Sequence, residues 1–310
     1  MQEILGDRAQ LRFTDEAGLP EAVDGAQVLF LWDFFSTAVR DAWEHCQDLE
    51  WIHVAAAGVD TLVFPALAES EVVVTNAKGI FDRPIAEYVL GAVLAHAKRV
   101  HESHELQRRH EWRHRETRTV QGARAMVIGT GGIGREIGRL LAGAGLEVSG
   151  AGRTAREGDP DLGTIVPSSE LADHLGEVDY LVNAAPLTPA TTGLIDAGVL
   201  AALPERAHLV NIGRGESVVE EDLVAALRAG QIDGATLDVF AVEPLPPDSP
   251  LWTLPGVVVT PHMSGDAEGW RDRLAQQFVA NAERWLAGEE LVNIVDTRLG
   301  YVPSSQGSAS

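Results

Sequence analysis

Short apolar segments alternate with helical patterns along most of the chain, and this alternation constrains the fold more than any other feature. The segments are apolar throughout, as expected of strands buried on both faces of a parallel sheet. They form an early and a later series: AQVLFLW (from Ala26), LEWIHVA (Leu49) and EVVVTN (Glu71), then ARAMVIG (Ala123), LEVSGAG (Leu146), VDYLVNA (Val178), AHLVNIG (Ala207), IDGATLDVF (Ile232) and GVVVTPH (Gly256). The pattern predicts an α/β protein with two sheets in series.

The size and composition of the chain narrow its class. A length of 310 residues favours two domains. Cys46 is the only cysteine, which excludes a disulfide scaffold and fits a reducing compartment, so we expect a cytoplasmic protein. The N-terminus carries Glu3 and Asp7 and lacks the apolar core of a signal peptide, and the chain has no run of roughly 18 apolar residues, so we expect neither a signal peptide nor a membrane span. The formal net charge of −22 disfavours nucleic acid and anionic membranes as partners. An anionic substrate would therefore need local arginines.

A glycine-rich segment, Gly129–Gly134 (GTGGIG), lies between the strand-like Met126–Ile128 and a helical pattern. Gly129 permits a tight turn, Gly131 lets the backbone approach a pyrophosphate, and Gly134 allows the helix to pack closely on the sheet. The free N–H groups at the start of the helix favour bound phosphate. This order of strand, turn and helix predicts a dinucleotide-binding site rather than a simple glycine turn.

The end of the following strand indicates which dinucleotide binds. Sites that prefer NAD usually carry an Asp or Glu about 20 residues beyond the glycines, where it binds the ribose 2′-hydroxyl. Here the strand ends at Gly152, and Arg153 and Thr154 follow it, with Arg156 close by. Because a guanidinium pairs well with a 2′-phosphate, we expect NADP to be preferred over NAD. The alternative is that Arg153 is only a solvated residue at a strand end.

Three later motifs carry an arginine, an acid and a histidine after predicted strands, where ligands bind in open α/β sheets. Arg214 lies in NIGRG, just past a buried strand, where an arginine should point into a cleft. Asp238 and Glu243 lie in LDVFAVEPLP, and His262 lies in TPHMSG. An arginine can hold a carboxylate and polarise a carbonyl, and a histidine kept protonated by an acid can exchange a proton with an alcohol oxygen.

Taken together, these motifs resemble those of the D-isomer-specific 2-hydroxyacid dehydrogenases, which use NAD(P). The resemblance extends over nearly the whole chain, in family order. It is also carried by AAAGVD (from Ala55), TNAKGI (Thr75), PIAEYVL (Pro84), PLTPATTGLI (Pro186) and SPLW (Ser249). The resemblance implies a Rossmann-type cofactor-binding domain, residues 83–265, inserted into a smaller flavodoxin-like α/β substrate-binding domain made of residues 1–82 and 266–310.

The resemblance also implies roles for individual residues. Arg214 would bind the substrate carboxylate and carbonyl oxygen, His262 would be the acid/base, and Glu243 would pair with His262 and raise its pKa. The backbone N–H groups of Gly58 and Val59 would hold the carboxylate. The residues expected at the cofactor are Gly129, Gly131, Gly132, Ile133, Gly134, Arg153, Thr154, Ala185, Ile212, Gly213, Asp238 (at the nicotinamide carboxamide), His262 and Gly265.

The activity implied is hydride transfer between NADPH and C2 of a small 2-oxo acid or D-2-hydroxy acid, with no metal. A homodimer is expected, since family members usually pair through the cofactor domain, with the helix and arm after Pro84 in the contact. The alternatives are a glyoxylate/hydroxypyruvate reductase specialist and a non-catalytic, cofactor-sensing protein like a corepressor. His110 and His114 are spaced to hold zinc, but a polar arm between domains or subunits is the favoured interpretation.

Overall fold

The computed structural model describes residues 5–33 and 35–303. The chain divides into two compact units, one made of Met1–Phe81 and Ala267–Ser310 and the other of Asp82–Asp266. Within the described residues the strands are β1 (Val28–Leu31), β2 (Trp51–Val54), β3 (Val73–Asn76), β4 (Arg124–Ile128), β5 (Glu147–Gly152), β6 (Arg156–Asp159), β7 (Gly163–Pro167), β8 (Tyr180–Asn183), β9 (His208–Asn211), β10 (Gly234–Leu237) and β11 (Val257–Val259).

The α-helices of the same residues are α1 (Leu19–Val23), α2 (Ala38–Asp41), α3 (Pro65–Ala68), α4 (Asp82–Ala97), α5 (Val100–Arg108), α6 (Gly132–Gly143), α7 (Ala197–Ala202), α8 (Glu220–Arg228) and α9 (Trp270–Ala287). Short 3₁₀ helices are found at Gly6–Arg8, Trp43–His45, Ser168–His174, Gly215–Ser217 and Pro250–Trp252. None of the helices in residues 5–33 and 35–303 is long and apolar enough to be a membrane span.

The unit formed by Asp82–Asp266 contains an eight-stranded sheet, counted over its described residues, in the order β11-β10-β9-β8-β4-β5-β7-β6. Neighbouring strands are parallel except β6 and β7. From β7 to β10 the order is that of a doubly wound Rossmann-type sheet, with the reversal between β4 and β8, where such sheets bind dinucleotides. The predicted fold class, a Rossmann-type unit together with a smaller α/β unit, is confirmed.

The core of this unit explains why its strands read as continuous apolar runs. All residues of β8, β9 and β10 are buried. Leu181 and Leu209 of the sheet belong to one apolar cluster with Leu200 of α7 and Leu223 of α8. Burial of such side chains contributes roughly 1.5 to 3 kcal/mol each to folding.

The sequence analysis did not predict β6 and β7, which form an antiparallel pair at one edge of the sheet. β6 has the sequence REGD, and three of its four residues are exposed. In β7 only Ile165 and Val166 are buried. An edge strand needs no continuous apolar run, because it lacks a neighbour on one side, and charged residues protect such edges from further pairing.

The smaller unit contains a parallel sheet in the order β1-β2-β3. The ring of Phe278 on α9 stacks on that of Phe30 in β1, with the ring centroids 4.2 Å apart, and also on that of Trp51 in β2. The sequence pattern of Trp270, Leu274, Phe278 and Trp285 on one stripe, with Gly288 as a stop, predicts a helix from about Ala267 to Ala287. It begins later, at Trp270, because Gly269 has a φ of +75°, which is outside the helical range.

Candidate active site

The glycine-rich loop connects β4 to α6 and fits a bound pyrophosphate. Gly129 has a φ of +101°, and a Cβ placed there would lie 2.6 Å from the carbonyl oxygen of Ala184. A Cβ at Gly134 would collide with the carbonyl oxygen of Gly129, so the close return of the helix needs glycine. A Cβ at Gly131 would have no neighbour within 4 Å. The backbone that leads into α6 is therefore accessible, and the N–H groups at the N-terminus of this helix have room for an anion beside them.

The end of β5 lies beside this loop. The N–H of Gly129 donates a 2.9 Å hydrogen bond to the carbonyl oxygen of Ala151, and a Cβ at Gly152 would lie 3.0 Å from the side chain of Thr130. Arg153 and Thr154, which follow directly, are exposed. Arg156 is 3.0 Å from the carboxylate of Asp159 and so belongs to an ion pair. Arg153 directly follows the end of β5, which lies beside the glycine loop.

Two buried asparagines fix the loops that follow β8 and β9. Asn183 and Asn211 end these adjacent strands, and Asn183 Nδ2 donates to Asn211 Oδ1 at 2.9 Å. Asn183 Oδ1 accepts from the N–H of Ala185, and Asn211 Oδ1 accepts from that of Gly213, both at 3.2 Å. Asn211 Nδ2 donates to the carbonyl oxygen of Arg214 at 3.1 Å. The backbone that carries Arg214 is therefore held by side chains of the sheet.

Asp238, directly after β10, does the same for the turn after β11. Its side chain is buried, at 0 % exposure. Oδ1 accepts hydrogen bonds from Thr260 Oγ1 at 2.6 Å and from the N–H of Met263 at 2.9 Å, and Oδ2 accepts from the N–H of Ser264 at 2.9 Å. Asp238 thus holds this turn by hydrogen bonds to its backbone. Gly265, in the same turn, is also buried. Its predicted contact with a nicotinamide carboxamide stays a prediction.

His262 lies in this turn and contacts Glu243. Its backbone has a φ of +51°, and its N–H donates to the carbonyl oxygen of Asp238 at 2.8 Å. Nδ1 of the imidazole lies 2.8 Å from Glu243 Oε2, and the two side chains are 25 % and 24 % exposed. Glu243 Oε1 accepts from the N–H of Phe240 at 2.9 Å. Glu243 thus contacts both the imidazole of His262 and the backbone of Phe240.

The charges around Glu243 favour its ionised form. Burial by itself would raise its pKa, but the hydrogen bonds from His262 and Phe240 and the charges of His262 and Arg214 together lower the pKa of Glu243 below its usual value. Arg214, half-buried after β9, therefore lies within electrostatic reach of Glu243. Its Nη1 also donates to the carbonyl oxygen of Gly213 at 2.8 Å. A guanidinium, an imidazole and a carboxylate are thus grouped at the carboxyl ends of β9, β10 and β11.

The other residues expected at the cofactor lie at the same edge of the sheet. Gly132 and Ile133 are the first residues of α6, and both are half-buried. Ala185 and Ile212 are buried in the loops after β8 and β9, and so is Gly213, where a Cβ would lie 2.8 Å from the carbonyl oxygen of Ala185. Their cofactor contacts stay predictions.

Gly58 and Val59 belong to the smaller unit, in the segment after β2, where Gly58 is half-buried and Val59 is buried. Their predicted role in binding a carboxylate stays a prediction. Over the described parts of the chain, 5–33 and 35–303, no three His, Cys, Asp or Glu side chains are grouped as metal ligands would be.

Comparisons with a family model, with curated proteins and with solved structures all match the chain to 2-hydroxyacid dehydrogenases or glyoxylate/hydroxypyruvate reductases. The family model of the D-isomer specific 2-hydroxyacid dehydrogenase, NAD binding domain, matches residues 90–264. The chain is 34% identical over 215 residues to glyoxylate/hydroxypyruvate reductase A of Yersinia enterocolitica, covering 69% of this chain and 68% of that protein.

Solved structures resemble nearly the whole chain, among them two that contain NADP. One is a probable 2-hydroxyacid dehydrogenase from Rhizobium etli in complex with NADP, HEPES and L(+)-tartaric acid, with a TM-score of 0.83 and 29% identity, covering 97% of this chain and 94% of that one. The other is an NADPH-dependent glyoxylate/hydroxypyruvate reductase from Sinorhizobium meliloti in complex with NADP and sulfate, with a TM-score of 0.81 and 30% identity, covering 93% and 90%.

Proposed function

Since the chain belongs to the D-isomer specific 2-hydroxyacid dehydrogenases, we propose that it reduces a small 2-oxo acid to the D-2-hydroxy acid with NADPH. The observation that carries the proposal is the 2.8 Å contact between His262 and Glu243, with Arg214 nearby, at the carboxyl edge of a Rossmann-type sheet. Glyoxylate and hydroxypyruvate are the first substrates to test, because they are named for two of the similar proteins.

The glycine loop and the end of β5 support NADP as the cofactor. The N–H groups at the start of α6 would bind the pyrophosphate, because the backbone at Gly131 is open and a helix N-terminus favours anions. Arg153, beside that loop, would pair with the 2′-phosphate. The nicotinamide ring, when bound, supplies the hydride. NAD is the alternative cofactor.

The three polar side chains would divide the remaining work. The guanidinium of Arg214 binds the substrate carboxylate and polarises the carbonyl, which fixes the orientation of C2. Protonated His262 donates the proton from Nε2 to the oxygen that becomes the hydroxyl. The carboxylate of Glu243 stabilises the imidazolium and holds the ring by its Nδ1.

We further propose that the protein forms a cytoplasmic homodimer through the segment after α5. Residues 109–118 are mostly exposed, and Trp112 in this segment is 102 % exposed. The dimer itself is expected from the family, whose members usually pair through the cofactor domain, and this exposed segment belongs to that unit. Sedimentation equilibrium should therefore give a dimer, and a monomeric wild type would contradict this part of the proposal.

The catalytic proposal is tested by following NADPH absorbance with glyoxylate, hydroxypyruvate and pyruvate, in parallel with NADH. His262→Ala should lower kcat by on the order of 100-fold to 10,000-fold, since it removes the proton donor. Arg214→Ala should also abolish most turnover, with a raised KM for the 2-oxo acid. Both variants should bind NADPH as the wild type does.

Two exposed residues of the same unit serve as matched controls, His174→Ala and Arg228→Ala, which should keep full activity. Near-normal turnover in His262→Ala would contradict the proposed acid/base role of His262. A wild type that binds NADPH but reduces none of the acids would favour the cofactor-sensing alternative.

A further inference from the structure

We propose that Tyr88 and Thr260 are positioning residues that orient His262 through the carboxylate of Asp238. The proposal rests on the acid/base role proposed above for His262. Neither Tyr88 nor Thr260 was singled out by the sequence analysis. They lie 172 residues apart in the chain, yet their side-chain oxygens are only 2.6 Å apart.

The hydrogen bonds form a chain with a defined direction. A carboxylate oxygen accepts, so Thr260 Oγ1 must donate its single hydrogen to Asp238 Oδ1, at 2.6 Å. Thr260 Oγ1 then accepts from the hydroxyl of Tyr88. Burial, opposed by the hydrogen bond to Thr260 and assisted by the charge of Asp238, raises the pKa of Tyr88 to about 12. Tyr88 therefore keeps its proton at neutral pH and remains the donor.

The far end of this chain is the turn that presents His262. The backbone of His262 is left-handed, with a φ of +51°, a conformation that persists in a non-glycine residue only when its surroundings impose it. Asp238 supplies that constraint, because its carboxylate accepts the N–H groups of Met263 and Ser264, the next two residues. The hydrogen bond from Thr260 therefore holds the carboxylate of Asp238, and that carboxylate holds the turn.

Tyr88 connects this turn to a long helix. It lies on α4, whose Ile85, Val89 and Val93 are buried in the same unit. Side chains on a packed helix move little, so Tyr88 offers Thr260 a hydrogen-bond donor in a fixed position, which solvent does not. The acid/base group is thus held from three sides: by Glu243 at the ring, by Asp238 at the backbone, and by Tyr88 and Thr260 behind Asp238.

The first test compares Thr260→Val, which keeps the shape of the side chain and removes the hydroxyl, with Thr260→Ser, which keeps the hydroxyl. Thr260→Val should lower kcat about 10-fold to 100-fold, as small displacements of a catalytic group do, and leave the dissociation constant of NADPH unchanged. Thr260→Ser should restore most of the activity. Equal loss in both variants would overturn the proposal, because a packing defect does not depend on the hydroxyl.

The second test is a double-mutant cycle. Tyr88→Phe should lower kcat about 2-fold to 10-fold, as expected for one buried hydrogen bond. If Tyr88 acts through Thr260, then Tyr88→Phe combined with Thr260→Val should be no worse than Thr260→Val alone. Effects that multiply would show two independent contributions and overturn the chain.

The third test needs no turnover. Amide hydrogen exchange, measured by NMR without cofactor, should become faster at Met263 and Ser264 in Thr260→Val. The matched control is Thr236→Val in β10, which removes a buried hydroxyl that contacts His208 Nε2 at 2.9 Å and should change neither exchange at these amides nor kcat. Unchanged exchange in Thr260→Val overturns the positioning role. If the wild type reduces no 2-oxo acid, the proposed function fails, and exchange alone decides whether Thr260 holds the turn.

Discussion

Asp233→Asn should lower the free energy of unfolding at neutral pH by about 2 kcal/mol. Asp233 Oδ2 lies 2.9 Å from both His96 Nε2 and Arg99 Nη2, and its side chain is 21% exposed. The hydrogen bond from His96 and the charge of Arg99, against the opposing effect of burial, lower the pKa of Asp233 from 3.8 to about 2. Since each pKa unit corresponds to about 1.4 kcal/mol, this lowering corresponds to about 2 to 3 kcal/mol of stability.

The pH dependence gives the prediction its sign. A carboxyl whose pKa is lower in the folded protein stabilises that state above the pKa of the unfolded chain, and the stabilisation is lost as the pH falls through the folded pKa. Urea unfolding should therefore show the full difference between wild type and Asp233→Asn at pH 7, and the difference should shrink below about pH 4. Asp248→Asn, at an exposed position, makes the same change of charge and should cost little. If Asp233→Asn is as stable as Asp248→Asn at pH 7, the ion pair contributes nothing and the reasoning is refuted.

Two further predictions concern cofactor choice and acid sensitivity. Arg153→Asp should raise the KM for NADPH and lower that for NADH, because an acid repels the 2′-phosphate and binds a ribose 2′-hydroxyl; an unchanged ratio of kcat/KM for the two cofactors would contradict the role of Arg153. Burial lowers the pKa of His53 from 6.5 to about 4, so between these pH values the unfolded chain binds a proton that the folded protein does not bind. The free energy of unfolding should therefore fall by about 1.4 kcal/mol for each unit by which the pH is lowered over this range. The slope of urea midpoints against pH over this range should be smaller in His53→Gln, and an identical slope would exclude His53 as its source.

The parts of the site that the sequence predicted are those formed by residues that are close together in the chain. The glycine loop is read from consecutive residues, because strand, turn and helix follow one another along the chain. Its structural reason is equally local: a Cβ at Gly134 would meet the carbonyl oxygen of Gly129. Arg214, Glu243 and His262 were found because each is embedded in a motif, although the resemblance to a family, rather than spacing, gave them roles.

The parts that the sequence analysis missed depend on contacts between distant segments. Asn183 and Asn211 are 28 positions apart, and only the parallel register of β8 and β9 brings their side chains together. Tyr88 meets Thr260 only after α4 has packed in its unit. A signal was nevertheless present, since Asn183 and Asn211, like Asp238, which the motifs did single out, each lie at the end of an apolar run, where a buried strand ends.

That signal has a physical reason. A buried amide or carboxylate costs free energy unless its hydrogen bonds are made, and the neighbouring strands leave the side chains of Asn183, Asn211 and Asp238 few partners besides the loop backbones. The loops are therefore stable in the conformations that satisfy these groups, in which Asn211 holds the backbone of Arg214 and Asp238 holds the turn of His262. Replacing one of them with an apolar residue would remove the preference for that conformation even where the strand itself remained. Stability of the sheet edge and placement of the reactive side chains thus depend on the same hydrogen bonds.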